Sequence, residues 1–313
     1  MAAACATLRG ASRASIEMWA FAAPWDPRSG ATLAAHGAEL DAVVSGFITI
    51  DSASFRPVMF GADTLATSGT ARRLALVSTY QGTSFHTETV RGLATDSIAL
   101  GHAAGATAAM LEQGGYRGAV LDFEALRPND LAALLAVSRA FTDSARAHGI
   151  APVGMAVPAT DTAAYPARPL LGAVDFLVVM LYDQHWSTSP PGPIASPDWA
   201  MRALGTRVGE VGPSRLVAGF PTYGYLWRTD SATAVISYAQ GDSIARAAHV
   251  ALARDPASAT LHAASGTWTE WVSDAVQLDS LMRAARARGV TRFALWRAGL
   301  EDPRVWPLIA ARR

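Results

Sequence analysis

Apolar residues in this chain fall into short runs separated by longer stretches with helical spacing. Eight runs have the length of a buried strand: 15–22 (SIEMWAFA), 43–50 (VVSGFITI), 73–79 (RLALVST), 118–123 (GAVLDF), 150–157 (IAPVGMAV), 174–182 (VDFLVVMLY), 215–220 (RLVAGF) and 290–296 (VTRFALW). Helical patterns fit between them. The run 95–113 ends at Gly114 and Gly115, a pair suited to a helix C-terminus. Asn129 is placed to cap a second helix that stops at Gly149. A third pattern, 273–289, opens on Ser273-Asp274 and stops at Gly289. Strand and helix alternating at this rhythm predict a parallel sheet, and eight such units predict a closed (β/α)8 barrel. An open doubly wound sheet is the alternative. No Gly-rich phosphate loop follows the first strand, which weighs against a nucleotide-binding version of it.

The stretch 226–272 is longer than one connecting helix needs. It reads as a small α+β insertion between the seventh and eighth strands. Two or three short strands and a helix-like segment (SIARAAHVALARD, 243–255) are expected there, with the insertion walling one side of a cleft. The expected organisation is a tail over 1–14 and one barrel domain over 15–313.

The 313-residue length and 50% hydrophobic content allow a large core. The formal net charge is zero, the pI is about 7.1, and no basic stripe appears, which argues against nucleic acid as a partner. The sequence contains no lysine; with the many alanines, this reads as coding bias. A single cysteine, Cys5, excludes a disulfide framework and a Cys-rich metal site. The seven histidines show no i, i+4 pairing, so no zinc site is expected. No apolar run reaches the length of a membrane span, and the opening residues show no apolar signal-peptide core.

Chemistry gathers at the strand ends. In GYRGAVLDFEAL (115–126), alternation puts Val120, Asp122 and Glu124 on one face and Ala119, Leu121 and Phe123 on the other. Leu121 and Phe123 belong under the helices, so the two acids point into the barrel at its C-terminal end, where barrel enzymes carry their active sites. Carboxylates about 7 Å apart along a strand in a low-dielectric mouth do not both ionise cheaply, so one is expected to keep its proton. That is the equipment of glycoside hydrolysis. The plainer alternative is an ion pair with a rim arginine such as Arg127. Three other strand ends carry similar residues: Met180, Tyr182 and Asp183 in VVMLYDQHW; Tyr223, Tyr225 and Trp227 in LVAGFPTYGYLW; and Trp296 in FALWRAGLEDP. Aromatic rings gathered at a barrel mouth suit the C–H faces of sugars, although each taken singly also suits core packing. The GDS at 241–243 lies inside the insertion, off any central strand, and reads as a helix N-cap rather than a serine-hydrolase block.

These residues resemble glycoside hydrolase family 18, the chitinase-like hydrolases, and within it the bacterial members related to spore-cortex and peptidoglycan hydrolases. The likeness runs from AFAAPWDPRS (20–29) to ALWRAGLEDP (294–303). The family signature Asp-Gly-x-Asp-x-Asp-x-Glu is matched at Gly118, Asp122 and Glu124, while Arg117 and Val120 replace its first two acids. Met-x-Tyr-Asp is complete at Met180, Tyr182 and Asp183, and a Trp ending the eighth strand is matched by Trp296.

The resemblance implies retaining, substrate-assisted hydrolysis of β-1,4-linked N-acetylglucosamine polysaccharide, chitin oligomers or peptidoglycan, with no cofactor and no metal. It implies Glu124 as acid and base, Asp122 and Tyr182 on the substrate's acetamido group, and Asp183, Met180, Trp296, Tyr223, Trp25, Tyr80 and His185 as substrate-binding residues. His185 beside Asp183 either lines the sugar cleft or is simply exposed. In the family, the acid at the position of Val120 hydrogen-bonds the acid at the position of Asp122, so an altered pH profile is expected here. Arg117 is expected to be structural. A lectin-like member without turnover is the competing class, and the presence of Glu124 argues against it. A structural or interaction domain fused to envelope enzymes is a third. The substrate places the protein outside the cell or in its envelope.

Overall fold

The computed structural model describes residues 15–61 and 71–312; the tail with Cys5 lies outside them. Eight parallel strands form the barrel: Glu17–Phe21, Ala42–Ile50, Arg72–Ser78, Ala119–Asp122, Val153–Pro158, Phe176–Met180, Leu216–Pro221 and Arg292–Trp296. Each pairs with the next in sequence order, and the first pairs with both the second and the eighth, which closes the barrel. All eight coincide with the runs read from the sequence.

The two faces of each strand meet different cores. Trp19, Phe21, Leu74, Leu76, Val120, Phe176 and Val178 fill the barrel interior. Met18, Ala20, Ala119, Leu121, Phe123, Leu177 and Val179 pack outward under the helices. Phe176 fits inside edge-on to Trp19, ring centroids 5.2 Å apart. It does so because Gly154 faces it from the neighbouring strand, where a Cβ would meet the ring at 2.2 Å. Gly118 is required for a similar reason: a Cβ there would sit 2.6 Å from the Pro152 carbonyl oxygen.

Helix ends follow local chemistry. Asp96 caps the helix Ser97–Gln113 by accepting from the amides of Ile98 and Ala99, and Gly115 at φ 68° turns the chain back. Asn129 is not the cap of the next helix. Pro128 starts a 3-10 turn, Pro128–Asp130, and the α-helix Leu131–Ala147 follows directly. Asp274 caps Ala275–Ala287, accepting from the Gln277 amide at 3.0 Å.

The connection between the seventh and eighth strands holds more structure than its sequence pattern predicts. Tyr223–Arg228, Ala234–Ser237, Ala253–Arg254, Leu261–Ser265 and Trp268–Val272 form a five-stranded antiparallel sheet. Its helix is Tyr238–Ala247, earlier than the segment expected, and it is capped by Ser237. Gly241, Asp242 and Ser243 are therefore inside that helix and not at its N-cap. A further helix, Thr87–Thr95, and a short antiparallel strand, Pro57–Met59, edge the barrel without having been legible as elements. Among the described residues, no helix is long and apolar enough to cross a membrane.

Candidate active site

A cavity of about 900 Å³ opens at the C-terminal ends of the strands. Asp122 closes the fourth strand, and Glu124 follows two residues later on the same face. Both line the cavity, with Met180, Tyr182, Asp183, Trp296, Trp25 and Tyr80. The backbone turns sharply after the acid, with Ala125 at φ 60°, a conformation that costs an L-residue about 1 kcal/mol or more.

Asp122 is 8% exposed, and its carboxylate accepts from the Ser78 hydroxyl at 3.1 Å. Its side chain and that of Glu124 also share a hydrogen bond. Burial raises the Asp122 pKa, against the lowering effect of the bonds from Glu124 and Ser78. Glu124 is raised well above the carboxylate range, first by burial, then by the Asp122 charge and the hydrogen bond to it, then by Asp183. The hydrogen bond pulls the two groups in opposite directions, so the shared proton belongs on Glu124 and the negative charge on Asp122. Neither acid pairs with Arg127, whose amide instead donates to Asp130 at 2.9 Å.

Asp183 sits in the left-handed region at φ 55°, which a short polar side chain tolerates better than most. The residue is open to solvent, but its carboxylate is ringed by phenols: Tyr223 donates to it, and so does Tyr225 at 3.2 Å. Partial burial of the carboxyl raises its pKa, and the two phenol bonds oppose the shift. Tyr182 is raised well above the usual phenol value by burial and by the charges of Glu124, Asp122 and Asp183, so it remains a neutral donor. Its ring lies nearly parallel to that of Trp296, at 14° with centroids 6.2 Å apart, and Phe21 meets Trp296 edge-on at 5.4 Å. The Trp296 carbonyl accepts from the Thr222 amide, and the next residue, Arg297, binds Asp26.

Two residues expected at the mouth stand elsewhere. Tyr223 is 3% exposed and lies behind Asp183 rather than on the cavity wall. His185 is not among the lining residues; its ring contacts the Pro190 carbonyl at 3.0 Å and lies against Gly192. The inserted sheet contributes no lining residue either. Its Tyr225 and Trp227 back the mouth, packing with Tyr223, Ile194 and Leu300. Sequence reasoning missed Ser78, Phe47, Phe60, Trp199 and Asp51, all on the cavity wall. Ser78 ends the third strand directly beside Asp122, a placement that the predicted strand order contained. Among the described residues, no group of three or more His, Cys, Asp or Glu side chains is placed to hold a metal ion.

No family model matches the chain. It is 31% identical over 129 residues to an uncharacterized glycosylase, YvbX, of Bacillus subtilis, covering 39% of this chain and 38% of that protein. It is 25% identical over 146 residues to a cortical fragment-lytic enzyme of Bacillus anthracis, covering 44% of this chain and 34% of that one. The matches thus span well under half the length of these curated relatives. Among solved structures, the spore cortex-lytic enzyme SleL of Bacillus megaterium aligns over 96% of this chain and 75% of its own, with a TM-score of 0.82 at 16% identity. A chitinase from Chromobacterium violaceum aligns over 95% of this chain and 98% of its own, with a TM-score of 0.82 at 20% identity. A family GH18 chitinase from Cycas revoluta has a TM-score of 0.80 at 16% identity, over 94% of this chain and 98% of its own. At these identities the structural likeness establishes the barrel fold.

Proposed function

We propose that the chain is a retaining glycoside hydrolase cleaving β-1,4-linked N-acetylglucosamine polysaccharide, as chitin oligomers or peptidoglycan, with the substrate's acetamido group as nucleophile. The observation that carries this reading is the hydrogen-bonded Glu124–Asp122 pair on the cavity wall, with burial and charge favouring a proton on Glu124. Relatives named as glycosylases and a cortical fragment-lytic enzyme support the reaction class.

Glu124 gives its proton to the glycosidic oxygen as the bond from that oxygen to C1 breaks. The acetamido carbonyl oxygen closes onto C1 from the opposite face, forming an oxazolinium ion, and the leaving sugar departs with the proton. Asp122, ionised, accepts from the acetamido N–H and balances the positive charge; Tyr182 donates to the acetamido group. Water then adds to C1, Glu124 takes its proton back, and the ring of the intermediate opens with net retention. Trp296 floors the reacting sugar, Met180 borders it, and Asp183 positions it, held by Tyr223 and Tyr225. Trp25 and Tyr80 receive sugars farther along the chain. No metal or organic cofactor takes part.

Val120 cannot hydrogen-bond Asp122, and Ser78 supplies a bond in its place. On this reading the protein works on envelope or extracellular polysaccharide, with residues 15–313 as one catalytic domain and fusion to envelope enzymes as a fitting context. The test compares oligomers of N-acetylglucosamine with the matching glucose oligomers, following the product anomer by NMR. Cleavage of the acetylated series alone, with the β-anomer released first, is expected. Inversion, or equal cleavage of the glucose series, excludes the acetamido route.

A further inference from the structure

The ionisable side chains on the cavity wall are almost all of one sign. Asp51, Asp122, Glu124 and Asp183 line it, while no Arg or His does among the described residues. Asp51 accepts from the Ser54 amide at 2.8 Å and the Ser54 hydroxyl at 2.6 Å, and these bonds hold its carboxyl below the usual range. The arginines that follow the lining Trp25 and Trp296 in sequence are engaged with another acid: Arg28 and Arg297 each reach Asp26 at 2.8 Å. The ring of His86, next in sequence to the lining Phe85, contacts Glu88 at 2.6 Å. Beyond the acids the wall carries neutral hydroxyl and amide side chains, Thr49, Ser78, Gln81 and Thr160 among them, and is otherwise largely apolar. Trp25, Val58 and Phe60 are each about half exposed, at 50%, 53% and 53%. Trp25 meets Phe47 and Phe60 edge-on at 4.9 and 5.5 Å, which fixes these rings as a shelf.

We propose that this cleft selects glycans that carry no charge over the bound stretch and turns away those bearing free carboxylates, such as the lactyl and peptide carboxylates of muramic acid in peptidoglycan. The inference rests on the proposed function and narrows its substrate. A carboxylate leaves water readily only where charged or strong donors receive it. Here it meets like charges, aromatic edges and only neutral hydroxyl and amide donors, with no Arg or His on the wall among the described residues. A neutral N-acetylated sugar meets acceptors for its hydroxyls and N–H groups, and an apolar shelf for its C–H faces and acetyl methyl.

The test measures binding to the full-length Glu124→Gln protein by calorimetry. Three probes are used: a neutral N-acetylglucosamine oligomer, a peptidoglycan oligosaccharide of equal length with free carboxylates, and the same oligosaccharide after methyl esterification. The carboxylate form is expected to bind about tenfold more weakly than the neutral oligomer, with most of the gap closed by esterification. Asp51→Lys in the same background is expected to strengthen binding of the carboxylate form several-fold. Equal or tighter binding of the carboxylate form, a gap that esterification leaves unchanged, or indifference to Asp51→Lys overturns the proposal. Failure to bind all three glycans is a different outcome, and it removes the proposed function itself.

Discussion

The buried phenol of Tyr165 donates a 2.9 Å hydrogen bond to the carbonyl of Phe123, the residue immediately before Glu124. The same oxygen accepts from the Leu126 amide at 3.1 Å, so one side chain clasps both sides of the turn that carries the acid. Tyr165 is itself fixed by Arg207, which is wholly buried and donates to the carbonyls of Tyr165, Pro158 and Asp161. With Ala125 in a left-handed conformation between the clasped groups, the turn depends on this support.

Tyr165→Phe therefore removes a positioning contact without touching the cavity. Leaving a buried carbonyl and amide unpaired costs about 1–3 kcal/mol. We expect kcat on N-acetylglucosamine oligomers to fall about tenfold with KM little changed, and the high-pH limb of the kcat profile, which reports Glu124, to move. A loss of thermal stability with kcat and the pH profile unaltered would assign Tyr165 a purely structural role.

Val120 fills the barrel interior one pleat below Asp122 and is fully buried. Activity needs Asp122 ionised and Glu124 protonated, so rate should rise as pH climbs through the Asp122 titration and fall as Glu124 loses its proton. Val120→Asp adds a carboxyl beneath Asp122. As a charge it raises the Asp122 pKa and shifts the low-pH limb upward; as a proton donor it shifts that limb downward. Either movement in a kcat/KM profile demonstrates coupling, and an unchanged profile refutes it.

Glu270 lies fully buried in the inserted sheet, beneath Gly241 of the covering helix, with no hydrogen-bond partner for either carboxyl oxygen. Burial first, then the Asp242 charge, raises its pKa to about 7. A carboxyl raised on folding binds more protons in the folded state, so stability should fall as pH rises from about 4.5 through 7. The penalty above that window is about 3 kcal/mol. We expect Glu270→Gln to raise Tm at pH 8 and to lose that advantage at pH 5, as read by calorimetry. A difference of the same size at both pH values would show that ionisation of Glu270 is not the cause.

The barrel was legible because each of its strands alternates between two apolar environments, an interior of aromatics and aliphatics and an outer layer under helices. Glu124 and Asp122 were legible for the same reason, since two carboxylates break an apolar run on one face only. What stayed hidden depends on distant partners. Ser78 is a small polar residue at a strand end, and only its 3.1 Å contact with Asp122 gives it meaning. The helix Thr87–Thr95 carries a mid-helix glycine that reads as a breaker; the glycine is there because the ring of Phe55 would meet a Cβ at 2.6 Å. Asn129 looked like a cap, but Asp130 takes that corner with an ion pair to Arg91 at 2.7 Å. The five-stranded sheet was underestimated because its strands are only two to six residues long, too short for alternation to stand out.

The central claim is that Glu124 is the acid of a hydrolase acting on N-acetylglucosamine glycans. Turnover of N-acetylglucosamine oligomers and of peptidoglycan by the wild-type protein and Glu124→Gln, assayed side by side, tests it most directly. The account predicts cleavage of the N-acetylglucosamine oligomers by the wild-type protein and at least a hundredfold loss in the variant, in line with removal of a general acid, with binding of those oligomers retained. Binding without turnover by both proteins would contradict it and identify the cleft as a carbohydrate receptor.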